Sequence, residues 1–350
     1  MRRFNFDRRT AIGGILFAVI AQILPVPSAS AQSVEEFYKG KTLQINVGFG
    51  VGASYDTYAR VLAEHIGRYI PGNPKTIVMN MEGAGSLRLA NWLYNAAPKD
   101  GTVIGMTSRA APFASLIGTQ GGTNFDPTKF SWIGSANNEV STCVAWHAAP
   151  VQTLDQLRNN ELIIGGDGPS ADGEQFARVM NALFGTRIKI VSGYPGGNAI
   201  NLAVERGEVQ GRCGWSWSGI VAERKQWVDE RKVNVLVQFG LNRHADLPQV
   251  PLILDFAKTD EQKQILQLVL ARQPLGRPFL GPPGIPADRA EALRKAFMAT
   301  MTDPQFVPAA QKSKLEINPL PGADVAALVN GVFTSVSPTA VARTKEILSK

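Results

Sequence analysis

Two glycine-rich turns hold the residues of this chain best suited to chemistry. In the first, Gly48, Gly50 and Gly52 follow the apolar run Leu43 to Val47. They lead through Ala53, Ser54, Tyr55 and Asp56 into a segment with helical periodicity. Glycines let backbone N–H groups converge, and a helix start adds the positive end of its dipole, so such a turn presents donors to an anion. Asp56 would repel an anion directly; it is expected to stabilise the helix start and hold the loop's shape. A second turn, Gly165 to Gly173, takes the same place between a strand and a helix and contains Gly168, Pro169, Ser170 and Ala171. Two such turns facing each other would grip one small anion from both sides, with backbone amides, Ser54 and Ser170 as donors. Trp215-Ser216-Trp217 follows a predicted strand, Val209 to Cys213, near a strand end where α/β folds bind ligands. Trp215 is a candidate wall against a ligand's carbon skeleton, although core packing of at least one tryptophan is the simpler role.

Other chemistries find little support. Gly48-x-Gly50-x-x-Ala53 matches a loose dinucleotide spacing. A ribose-binding acid should end the next strand, but that strand ends in Met79-Asn80, with Glu82 beyond it. The three histidines, His65, His147 and His244, are far apart and make no metal-ligand spacing. No GxSxG elbow marks a hydrolase. The sequence therefore nominates no catalytic residue, no metal and no cofactor.

The N-terminus bears on which anion to expect. Arg2, Arg3, Arg8 and Arg9 precede an apolar stretch, Ala11 to Leu24, and Ala29-Ser30-Ala31 is a small-residue cleavage site. Residues 1–31 read as a secretory signal, and Asp7-Arg8-Arg9-Thr10-Ala11-Ile12 also resembles a twin-arginine signal. Outside the inner membrane soluble nucleotides are scarce, so a small carboxylate suits the turns better. Of the chain's net charge of +7, the leader's four arginines and one aspartate account for +3, leaving +4. Lys and Arg are scattered without a basic stripe, which argues against nucleic acid. Cys143 and Cys213 permit one bridge in an oxidising compartment, and serve equally as two buried apolar thiols.

The elements that position the turns read as strands alternating with helices. Leu43 to Val47, Thr76 to Asn80 and Thr102 to Thr107 are predicted strands, separated by the helices Ser54 to Tyr69 and Leu87 to Ala96. The alternation restarts with strands at Leu162 to Gly165, Ile188 to Val191 and Val233 to Phe239, and helices at Glu174 to Phe184 and Ala199 to Arg206. Such βαβ runs predict mostly parallel sheets flanked by helices. The unit recurs in both halves, so two α/β lobes are expected: residues 32–134 plus 241–350 as the first, 135–240 as the second. Crossings are expected near Ile133 to Asn137 and Phe239 to His244.

The ordered series of motifs resembles the substrate-binding proteins of tripartite tricarboxylate transporters, the Bug or TctC-like family, over almost all of the mature chain. VGFGVGASYDTYARVLAEHI matches the family's opening, MEGAGSLRLAN its second turn, and Pro98-Lys99-Asp100-Gly101-Thr102-Val103 its "PDGyTl". NFDPTKFSWIGSAN, GYPGGNAINLAVERGEVQG, ADLPQVPLILDFA and GPPGIPADRAEALRKAFMATMTDPQF follow in family order. The resemblance implies a two-lobed, flytrap-shaped periplasmic protein, a monomer without catalysis. It would capture a small organic carboxylate between its lobes and deliver it to membrane permease subunits. It also implies ligand contact through Gly52, Ala53, Ser54, Tyr55 and Asp56 in one lobe, and Gly168, Pro169, Ser170 and Ala171 in the other. Val51 stands where the family has proline, and Asp172 and Glu174 lie where it has a histidine. The extra acid favours a mono- or dicarboxylate over a tricarboxylate, and Trp215 with Trp217 points to an aromatic or bulky acid. The rival readings are a sensor subunit for a membrane kinase, an exported nicotinamide oxidoreductase and an exported hydrolase.

Overall fold

Leu43, Ile45 and Val47 alternate with Gln44 and Asn46, and all three apolar side chains are fully buried, as a central strand requires. A computed structural model describes Met1 and residues 32–117, 122–169 and 171–349. The predicted leader and Ser170 lie outside the described residues. Ser33–Lys350 forms one compact unit.

The unit begins with α1 (Val34–Tyr38), β1 (Thr42–Val47), α2 (Ser54–Ile66), β2 (Lys75–Asn80), α3 (Leu87–Asn95), β3 (Val103–Met106), α4 (Ala114–Ile117) and β4 (Ser131–Ser135). It continues through β5 (Ser141–Trp146), β6 (Leu162–Gly166), α5 (Asp172–Phe184), β7 (Ile188–Ser192), α6 (Gly197–Glu205), β8 (Gly211–Ser216), α7 (Trp217–Asp229) and β9 (Val233–Phe239). Last come α8 (Asp260–Leu270), β10 (Pro278–Gly281), α9 (Ala287–Met301), α10 (Phe306–Lys312), β11 (Leu320–Pro321), α11 (Gly322–Ser335) and α12 (Pro338–Ser349).

These strands make two mixed sheets, ordered β11-β4-β10-β3-β1-β2 and β7-β6-β8-β5-β9. In the first, β2, β1 and β3 are parallel and β10 runs against β3 and β4. In the second, β7, β6 and β8 are parallel and β5 runs against β8 and β9. The result is the expected two-lobed α/β architecture, with helices flanking each sheet.

One core lies under β1, where Tyr58, Leu62 and Ile66 of α2 meet Leu293 and Phe297 of α9. The sequence leaves 217–229 and 260–270 without an element, and both are helical. Glu223, Arg224 and Lys225 interrupt the apolar pattern of α7, whereas α8 starts on a capping box of Thr259 and Gln262. Helices α8 and α12 pack on α5, beside the second sheet. Residues 136–139 run beside 273–277: Ala136 N donates to Arg277 O at 3.0 Å and Glu139 N to Gln273 O at 3.0 Å. Cys143 and Cys213 face each other across β5 and β8 and are joined as a disulfide. Among the described residues, no single helix is long and apolar enough to cross a membrane.

Candidate functional site

The two glycine turns are braced by the same device. Gly52 takes φ +78°, with open space where a side chain would be, so its conformation and not its size calls for glycine. That conformation aims its N–H at Asp56 Oδ2, 2.8 Å away. Asp56, the third residue of α2, is 1% exposed. It also accepts from Arg60 Nε, one turn later, and from Asn80 Nδ2 at the end of β2, both at 2.8 Å. Burial works against the ionised carboxylate, but Arg60, the Gly52 N–H and Asn80 outweigh it and hold Asp56 below the usual range.

In the second turn Gly168 takes φ +126° and donates its N–H to Glu174 Oε1 at 2.9 Å. Glu174 is the third residue of α5 and fully buried. It pairs with Arg178 one turn later at 3.2 Å, and accepts from Ser192 Oγ, at the end of β7, at 2.5 Å. Glycine, carboxylate, arginine four residues on and polar strand end thus correspond one to one in the two turns.

Both helices start on alanine, Ala53 and Ala171, with no side-chain cap. Their first N–H groups have no helical carbonyl to bond. Both starts border a single cavity of about 660 Å³. The turns after β1, β2 and β3 line it from one sheet; the α5 and α6 starts and β8 line it from the other. This is the strand-end crevice where open α/β sheets bind ligands.

Among the described residues, three arginines line this cavity. Arg277, 1% exposed, donates from Nη2 to Ser54 Oγ at 3.0 Å and to Ser216 and Ser218 Oγ, both at 3.2 Å. Its Nη1 lies 3.4 Å from Glu139 Oε2, and its guanidinium sits 4.5 Å from the Tyr55 ring and 4.9 Å from Tyr58. Arg109 donates from Nε to Asp172 Oδ2 and from Nη2 to Ser141 Oγ, both at 2.6 Å. Asp172 Oδ1 accepts from Arg272 Nη1 at 2.9 Å. Burial would raise the Asp172 pKa, and the two arginines more than reverse this. Arg212, in β8, donates from Nη1 to Asn201 Oδ1 at 3.2 Å and lies 4.6 Å over the Trp215 ring. Burial pushes its pKa down, and Glu223 and Asp167 offset only part of that.

Of the residues singled out in the sequence, Ala53, Ser54, Tyr55, Ala171 and Trp215 border the cavity. Ser54 accepts from Arg277, which leaves its own proton free to donate. Tyr55 stacks on Phe49 with ring centres 4.2 Å apart. Gly52 and Asp56 form the first brace, and Gly168 part of the second. Pro169 O accepts from Gln175 Nε2 at 3.3 Å. Trp215 lies within β8 rather than beyond a strand ending at Cys213, and is 2% exposed. Trp217 is buried too and donates from Nε1 to Asp246 Oδ2 at 3.0 Å. Asp172 and Glu174, expected to add negative charge at the mouth, are each neutralised by arginine.

The arginines themselves were missed. Their signal was Gly-Arg at 211–212 and 276–277, each at or before a short strand, where a lone charge needs a purpose. The amide of Asn80 donates to Asp56 and, at 2.8 Å, to Phe49 O, so the end of β2 serves the turn and offers no acid to a ribose. Among the described residues, no three His, Cys, Asp or Glu side chains are grouped to hold a metal ion.

No family model matches the chain. A curated relative, the UPF0065 protein in the gbd 5′ region of Cupriavidus necator, is 22% identical over 328 residues, spanning 90% of each protein. The solved structure of the periplasmic binding protein BugD superposes with a TM-score of 0.69 at 18% identity, over 89% of this chain and 98% of its own. MatC from Rhodopseudomonas palustris, solved with bound malate, gives 0.64 at 18% identity, over 88% and 99%.

Proposed function

We propose that this chain, which has the fold of the BugD and TctC periplasmic binding proteins, is a periplasmic solute-binding protein for a small organic carboxylate. It would pass its cargo to the permease subunits of a tripartite tricarboxylate-type transporter. One observation carries the reading: two identically braced, uncapped helix starts, one beside each sheet, open onto one cavity of about 660 Å³. That volume falls in the range of small-molecule sites. The free N–H groups and the Ser54 hydroxyl are donors suited to a carboxylate, which needs no covalent chemistry to be held. The malate in MatC is a ligand of this kind.

We assign one lobe to each sheet, with residues 136–139 and 273–277 as the paired crossings. The second crossing is placed there, instead of at 239–244, because α8 packs on α5 before the chain returns to β10. Ligand binding would favour the closed arrangement of the lobes, in proportion to its preference for that state.

Calorimetric titration of ligand-stripped protein with a panel of organic acids tests the reading. Ala53→Trp and Ala171→Trp serve as blocked controls, since both positions border the cavity and have extended backbone that any side chain adopts. Binding of one acid class by the wild type, lost in both variants, is the expected result. Wild-type affinity in either variant would remove that helix start from the site.

A further inference from the structure

We infer that Arg212 is the specificity-determining residue of this cavity: it receives the second acidic group of a ligand whose first carboxylate lies at the helix starts. The ligand class is then a dicarboxylate. The inference rests on the carboxylate-binding reading above and narrows it.

Among the described residues, half-buried Arg212 differs from the buried arginines around the cavity, Arg109, Arg272 and Arg277. Arg109 and Arg272 each touch Asp172, at 2.6 and 2.9 Å, and Arg277 lies 3.4 Å from Glu139. No carboxylate comes within 4.0 Å of the Arg212 guanidinium; its polar contacts are the neutral Asn201 side chain and, at 3.5 Å, Gly197 O. The half-buried guanidinium thus faces the cavity without an ion pair, and a ligand anion would supply the carboxylate it lacks.

The group is also held in place. Its face rests on Trp215, and Nη1 is tied to Asn201. The start of α6 packs directly against it: a Cβ at position 197 would lie 2.2 Å from Nη2. A fixed, planar fork loses little freedom when it binds a carboxylate.

Position completes the argument. Arg212 belongs to β8 of the second sheet, while Ser54 and Tyr55 open α2 beside the first, and all three border the same cavity. Val51 and Leu202, 75% and 44% exposed, also line it, one from each side. They offer apolar contact to methylenes between two acid groups.

Glu223 and Asp167 line the cavity as well and act on Arg212 through space. If they governed recognition, a ligand with an ammonium at its far end would be preferred. The test therefore compares three ligands of equal length on the wild-type protein by calorimetry: an α,ω-dicarboxylate, the matching monocarboxylate and the matching ω-amino acid. Chains of about four to eight carbons suit a pocket of this size. The diacid should bind about 10–100-fold tighter than the monoacid, as a charge-assisted contact implies, with the amino acid weakest. In Arg212→Gln that ratio should collapse towards one, and Arg212→Lys should restore part of it.

Monoacid binding with no preference for the diacid overturns the role of Arg212 and leaves the carboxylate site standing. A preference for the ω-amino acid assigns the far pole to Glu223 and Asp167 and overturns the inference too. Failure of every acid to bind the wild type removes both readings together. The wild-type comparison decides the matter even if Arg212→Gln does not fold.

Discussion

Replacing Asp56 by asparagine should unlock the first turn, and the cost can be worked out from its three contacts. The carboxylate accepts from Gly52 N, Arg60 Nε and Asn80 Nδ2, all at 2.8 Å, while itself 1% exposed. Hydrogen bonds to a charged group contribute roughly 1.5–3 kcal/mol each. Arg60 is 44% exposed and regains water, so its share falls to roughly 0.5 kcal/mol. Gly52 is exposed and also recovers part of its loss, which leaves a total of about 3 kcal/mol. For a protein of this size that lowers the melting temperature by about 4–5 °C near neutral pH.

The pH dependence supplies an independent check. The folded pKa of Asp56 lies below its unfolded value, so its contribution is complete above the unfolded value of 3.8 and is lost as pH falls through the folded one. Calorimetric melts of wild type and Asp56→Asn should thus differ most at neutral pH and converge on acidification. Equal melting temperatures at neutral pH, or a gap that persists into acid, would refute the brace.

Two further outcomes follow from buried contacts. Arg277→Met leaves Glu139 charged and 1% exposed without its cation, and should cost about 3–5 kcal/mol in urea unfolding. Adding Glu139→Gln should recover part of that, and a double variant no more stable than the single one would show the ion pair to be unimportant. The Cys143–Cys213 disulfide spans 70 residues. A loop of that length gives an upper value of about 4 kcal/mol by chain entropy, so reductant or Cys143→Ser with Cys213→Ser should lower the melting temperature; an unchanged melt would place the stabilisation elsewhere.

What the sequence made legible, and what it hid, divides along the range of the interactions. The βαβ rhythm and both glycine turns were readable because strand alternation, helix periodicity and glycine in a turn are local patterns. The shape-holding role of Asp56 was readable too, since a carboxylate in a first helical turn has few other uses. Glu174 has the same role, yet it was read as free charge, because nothing within six residues reveals that it meets Ser192 at the end of another strand. The arginines were hidden for the same reason. Arg277 bonds Ser54, 223 residues away, and Arg109 bonds Asp172, 63 residues away, so only the folded chain makes either a cavity group. Helix α7 escaped because its charged run erases the apolar stripe that a single sequence can show.

The duplicated brace bears on how one fold accommodates different cargo. In each turn the nearby carboxylate is committed to glycine, arginine and a strand-end side chain, so it is unavailable to choose between ligands. What each turn then presents is a row of backbone N–H groups, which on the proposed reading would donate to any carboxylate of suitable size. Discrimination must come from side chains that the brace does not engage. Arg109, Arg272 and Arg277 are matched to internal acids, and the first and last of these tie residues of one sheet to residues of the other. On the proposed reading that leaves Arg212 with its Trp215 backing, and the acids Glu223 and Asp167 that also line the cavity, to select the ligand's far end. Substitutions there should change which acid is bound, whereas substitutions at Asp56 or Glu174 should weaken all acids alike. A panel in which Asp56→Asn altered the order of preference among acids, and not merely their affinities, would break this division of labour.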